Sequence, residues 1–166
     1  KNTENNTFDL YYIFDMGTNN DKRIGMAFEY LKFLGTSTMS PEKLKEEFYK
    51  LGCTYNVYSS NESVYVTLSG LADSFDKALS IFENLITDPK ANEEALANLK
   101  EDIKKQRSDN KSNKDVILWD GMLNYAQFGN KSPYKHTLNN AETDAVKSKE
   151  LIDIIKNLNS TEHHIC

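Results

Sequence analysis

Residues 8–36 read FDLYYIFDMGTNNDKRIGMAFEYLKFLGT, and two periodicities sit side by side in them. Phe8, Leu10, Tyr12 and Phe14 alternate with Asp9, Tyr11 and Ile13, the period of two expected of a strand with one buried face. Gly17 ends that run. Asn19, Asn20 and Asp21 then supply candidate caps, and Ile24, Ala27, Phe28, Leu31 and Leu34 recur at spacings of three and four, which predicts a helix reaching to Gly35. The domain is expected to open with a strand feeding a helix.

The stretches that follow extend this pattern. Ser40-Pro41-Glu42-Lys43 combines an N-cap, a proline at the first helical position and a charged first turn. It opens a helix with Leu44, Phe48 and Leu51 inward, closed by Gly52. Cys53, Tyr55 and Val57, then Val64, Val66 and Leu68 across the polar turn Ser59-Ser60-Asn61-Glu62, predict a hairpin. Helical stripes follow: Phe75 to Ile86 after a cap at Asp73 or Ser74, about Asn92 to Arg107 after the break at Asp88-Pro89, Val116 to Ala126, and Lys147 to Leu158. This order is α+β, most simply an antiparallel sheet with helices packed on one face. Glu162-His163-His164-Ile165-Cys166 reads as the start of a further strand, followed by neither turn nor cap, so residues 1–166 are expected to form a single, partial domain.

Bulk properties narrow the function classes. Hydrophobic residues make up 39% and charged residues 27% of the 166, ordinary values for a folding chain with room for one core. The net charge of −5 is dispersed, with no basic stripe to neutralise a phosphate backbone, so nucleic acid is not an expected partner. No apolar run approaches the roughly 20 residues needed to span a bilayer. Cys53 and Cys166 form no Cys-x-x-Cys pair, and Cys53, at a strand start among apolar neighbours, is expected in the core.

The strand, Gly17, the helix with Phe33-Leu34-Gly35-Thr36 after it, and Gly52 before a hairpin together resemble the start of a domain of the insulinase/pitrilysin zinc peptidases. The resemblance extends to Ser132-Pro133-Tyr134, the helix ending near Leu158 and the strand beginning at Glu162-His163, which are similar to non-catalytic domains of bacterial members. Active members carry an inverted His-x-x-Glu-His motif on that first helix, shortly before a Phe-x-Gly-Thr. Counting back from Gly35-Thr36 places Met26-Ala27-Phe28-Glu29-Tyr30 on it, so only Glu29 survives.

Positions 26 and 30 lie one turn apart on a helix, the spacing that lets two imidazoles hold one zinc. Here a neutral thioether and a phenol with an ordinary pKa of about 10 stand in their place, and neither replaces an imidazole. Glu29 is then expected to be a partly exposed helix carboxylate instead of a general base. In active relatives a later helix supplies a glutamate ligand, and Glu93, Glu94 and Glu101 fall in that region, where acidic residues also suit a helix start or a solvated face. His163 and His164 are adjacent in a strand and point to opposite sides, so they are not expected to share a metal, and no metal site is expected at His136. Tyr55, Tyr58 and Tyr65 are expected to serve packing, and the Lys100–Lys105 run with Arg107 and Lys111 a solvated helix face.

The resemblance implies a non-catalytic domain with no cofactor of its own, zinc being held in another domain of the parent endopeptidase. In the family, four such domains, or two pairs on separate subunits, form half-shells around a peptide. The implied partners are therefore sibling domains or a partner subunit, and peptide substrate. The alternative is a non-enzymatic scaffold or inactive partner subunit working through protein interfaces. Resemblance to bacterial members implies a periplasmic or cell-envelope location.

Overall fold

A computed structural model describes residues 5–132 and 136–166; Pro133 and Tyr134, two of the three residues in the Ser132-Pro133-Tyr134 segment, lie outside the described residues. Strand β1 (Thr7–Phe14) leads into α1 (Ile24–Leu31), the two-residue β2 (Gly35–Thr36) and α2 (Pro41–Lys50). The hairpin β3 (Cys53–Ser59) and β4 (Val64–Leu71) follows, then α3 (Phe75–Thr87), β5 (Pro89–Lys90) and α4 (Glu93–Asn110). A π-helical stretch, Val116–Leu123, runs into α5 (Asn124–Phe128); α6 (Asn140–Ala145), α7 (Ser148–Asn157) and β6 (His163–Ile165) complete the order. The fold is α+β, as the element order predicts.

The main sheet is antiparallel throughout, in the order β3-β4-β1-β6. Its register places Tyr12 opposite Val66, Leu10 opposite Leu68, and Val57 opposite Val66, so the alternating residues of all three long strands share one face. Against that face lie the buried residues of the helices: Ile24, Ala27 and Leu31 of α1, Phe82 and Leu85 of α3, and Leu151 and Ile155 of α7. Tyr12 and Tyr55 each pack a ring against Phe82, at centroid distances of 6.5 and 5.5 Å. Burying a dozen such side chains, at roughly 1.5–3 kcal/mol each, is what holds helices to sheet.

Local chemistry fixes the joints. The Ser40 hydroxyl accepts the Lys43 N–H (3.3 Å) with Pro41 at the first position of α2, and the Asn92 side chain accepts the Ala95 N–H (3.0 Å) at the start of α4. Gly52 takes φ of 60°, the left-handed turn that lets α2 drop straight into β3. Gly17 is pressed against the β3–β4 turn, where an added Cβ would stand 2.4 Å from backbone atoms of Asn61.

Several expectations shift in detail. Helix α1 ends at Leu31, because Gly35-Thr36 is drawn off to pair with Pro89-Lys90. Neither Asp73 nor Ser74 forms a side-chain cap on α3. Helix α6 is too short to show a periodicity; its signal is the capping box of Asn139 and Glu142, in which the Asn139 side chain accepts the Glu142 N–H (2.9 Å) and Glu142 accepts the Asn139 N–H (2.7 Å). The bases of α4 are not an idle face. Lys100 donates to the carbonyls of Asp144 (2.9 Å) and Val146 (2.7 Å), Lys104 pairs with Asp144 (3.1 Å), and Arg107 donates to Asn140 (2.9 Å) and Thr143 (3.0 Å), so one stripe of cations clasps α6 along its length.

Candidate functional site

Helix α1 packs against β3, α4 and α7. Met26 is buried in the core. Glu29 is half-exposed and its carboxylate is taken by Lys32, one turn on, at 2.9 and 3.0 Å. Tyr30 is fully buried, and its hydroxyl both donates to the Asn92 carbonyl (2.9 Å) and accepts the Asn92 N–H (2.8 Å). Asn92 is the N-cap of α4. The phenol therefore bridges the two helices by itself, filling with covalent structure and two hydrogen bonds the span that a shared ion would cross.

This donor set does not fit zinc. Burial pushes the Tyr30 phenol above its ordinary value; the hydrogen bond with Asn92 acts the other way, and the charge of Glu93 adds to the rise. The group stays protonated at neutral pH, with its lone pair already committed to an N–H. A buried thioether is a soft ligand that prefers softer ions. Among the described residues, no group of three His, Cys, Asp or Glu side chains is placed to hold a metal.

The later glutamates are occupied or remote. Glu93 accepts a hydrogen bond from the Ser148 hydroxyl, tying α4 to α7; Glu101 pairs with Lys104 (2.6 Å); Glu94 is exposed. His163 and His164 stand opposite Phe14 and Ile13, on the two sides of the sheet, with the His163 ring 5.3 Å from that of Phe14 and the His164 ring 3.9 Å from the Asp15 carboxylate. His136 is exposed beside Asn19–Arg23. Cys53 is buried with its thiol 3.4 Å from the Leu51 carbonyl. Tyr55 packs inward, while Tyr58 and Tyr65 pair on the outer face of the sheet at 6.0 Å. The clasp between Tyr30 and Asn92 is what sequence reasoning missed. Its one signal is a tyrosine on the inward stripe of a helix, where a buried hydroxyl must find a partner.

Beside α1, strand β3 forms one edge of the sheet. A groove of about 430 Å³ runs along it, lined by Lys32, Lys45, Phe48, Tyr49 and residues 53–57.

An antiparallel sheet backed by helices, with α1 tied to α4 through Tyr30 and Asn92, frames the comparison with known proteins. The chain belongs to the insulinase family (peptidase family M16), whose model matches residues 14–142. It is similar to uncharacterized zinc proteases of Rickettsia felis (26% identical over 100 residues, 60% of this chain and 24% of the relative) and Rickettsia bellii (24% over 104 residues, 63% and 25%). The chain thus spans about a quarter of the length of these curated relatives. Its fold is similar to that of a peptidase M16 inactive domain from Pseudomonas fluorescens (TM-score 0.75, 17% identity, 92% of this chain and 38% of that one). It is also similar to the periplasmic protease PqqL of Escherichia coli (0.76, 12%, 98% and 18%) and a protease from Helicobacter pylori (0.74, 14%, 97% and 41%). At these identities the likeness to solved structures is one of fold.

Proposed function

We propose that this chain is part of a non-catalytic domain of an insulinase-family zinc peptidase, forming part of the wall around a peptide while zinc is held by another domain of the same polypeptide. The observation that carries the reading is the double hydrogen bond between Tyr30 and Asn92: the helix that would grip zinc is instead locked to its neighbour by a protonated phenol. The edge of β3, which pairs with no further strand among the described residues, and its groove support a role in contacting extended peptide, since an unpaired strand edge can hydrogen-bond a peptide backbone whatever its side chains. The similarity to a periplasmic protease supports a cell-envelope location.

The test is metal content by mass spectrometry after incubation with zinc and desalting, run beside cleavage of an unstructured peptide. The parent chain is expected to retain no stoichiometric zinc and to cleave nothing. Stoichiometric zinc together with chelator-sensitive cleavage that disappears in Glu29→Gln would overturn the proposal and make this domain a peptidase.

A further inference from the structure

Between Lys111 and Lys131 the chain leaves the core. Ile117, Leu118, Trp119, Met122, Leu123, Tyr125 and Phe128 are all exposed, Trp119 by 58% and Met122 by 61%, and no residue from 116 to 128 is buried. Ile117, Leu118 and Trp119 are consecutive, so their side chains fan out around the helix and cover more than a narrow stripe. A helical stretch with this many exposed large apolar side chains marks an interaction surface. Among the described residues nothing encloses it: the stretch starts from Asn113, whose carbonyl accepts the Ile117 N–H (3.0 Å), and continues as a finger of π-helix and α5.

The size of the surface bears on what covers it. Seven large side chains, each about half exposed, present on the order of 700 Å² of apolar area. That exceeds the roughly 300–600 Å² patch of an ordinary monomer and approaches the ~800 Å² per partner of a stable interface. Lys111, Lys114, Asp115, Asp120 and Lys131, exposed around it, make the polar rim that interfaces carry. The mixed signs, with Asp115 and Asp120 among the apolar residues, do not suit a membrane-surface helix, which needs one strongly basic face. The similar solved chains are longer, this domain covering between 18% and 41% of each, so proteins of this kind carry other folded mass on the same chain to supply a cover.

We infer that the finger 116–128 is the seam by which this domain docks to another domain of the same polypeptide, its apolar side chains inserted into an apolar groove there. The inference rests on the reading of the chain as one domain of a longer peptidase, and its test is independent of zinc. A photo-crosslinking amino acid, p-benzoylphenylalanine, replaces Trp119 in the complete natural polypeptide, and the products are mapped by peptide mass spectrometry. Hydrogen exchange of residues 116–128 is compared between that polypeptide and the 166-residue chain. The expected result is a cross-link within one polypeptide to a residue of a different folded domain, and amide exchange slowed more than tenfold in the complete protein, whereas a cross-link to the remainder of this same partial domain would overturn the inference. A cross-link joining two copies through their fingers, insertion into vesicles of anionic phospholipid, equal exchange in both proteins, or a natural polypeptide with no further domain would each overturn it. Zinc-dependent cleavage by the isolated chain would defeat the proposed function and leave the cross-link unchanged.

Discussion

Tyr30→Phe removes one oxygen atom and keeps the ring, so it isolates what the hydroxyl does at the joint between α1 and α4. In the parent the Asn92 carbonyl has two donors, the phenol (2.9 Å) and the Leu96 N–H (3.0 Å), whereas the Asn92 N–H is given to the phenol (2.8 Å). The variant therefore leaves the carbonyl satisfied and orphans the N–H at a partly buried position. A lost hydrogen bond is worth about 1 kcal/mol and an unsatisfied buried donor about 1–3 kcal/mol, so the expected destabilisation is about 2–3 kcal/mol. For a chain of this length that is a fall in melting midpoint of about 5–10 °C. Urea unfolding followed by circular dichroism measures it directly, with Tyr49→Phe, an exposed tyrosine, expected to stay within about 0.5 kcal/mol. A Tyr30→Phe midpoint equal to that of the parent would refute the claim that the phenol bridges the two helices.

Gly17→Ala drives a methyl into the Asn61 backbone, and since backbone cannot step aside like a side chain, a loss of about 1–3 kcal/mol is expected in the same urea assay. Lys100→Met keeps the aliphatic stem but frees the Asp144 and Val146 carbonyls, which should cost about 1–2 kcal/mol and speed amide exchange in α6 before any other helix. Burial raises the phenols of Tyr12, Tyr30 and Tyr55. Groups raised in the folded state stabilise it fully below their unfolded value near 10 and lose that contribution as pH climbs through the folded values, so stability should hold to about pH 10 and then fall. The check is a series of melts across the alkaline range.

Much of this architecture is legible in the sequence because its signals are local. The alternation in residues 8–14 and 53–68, the Ser40-Pro41 start and the glycine at 52 each specify geometry within a few residues, and the elements form where those signals lie. The resemblance to the insulinase peptidases likewise rests on order and spacing. What is not legible depends on distance. That Tyr30 meets Asn92, sixty-two residues away, is decided by how α1 and α4 are stacked, and the clasp of α4 cations on α6 is a matter of tertiary placement. The stripe from Val116 to Ala126 is the reverse case. Its apolar residues are identical in kind to core residues, and periodicity reports that a surface wants covering without saying whether this domain covers it.

The tyrosine at position 30 also sets what building a metal site on α1 would cost. Gaining a two-histidine grip would pass through Tyr30→His or Met26→His one at a time. The first leaves Asn92 without its partner, and the second sets a polar ring among buried apolar neighbours, while a single imidazole gains little grip on zinc. Each first step is thus downhill in stability with no compensating gain. The bridge sets a stability barrier against acquiring a metal site here one residue at a time.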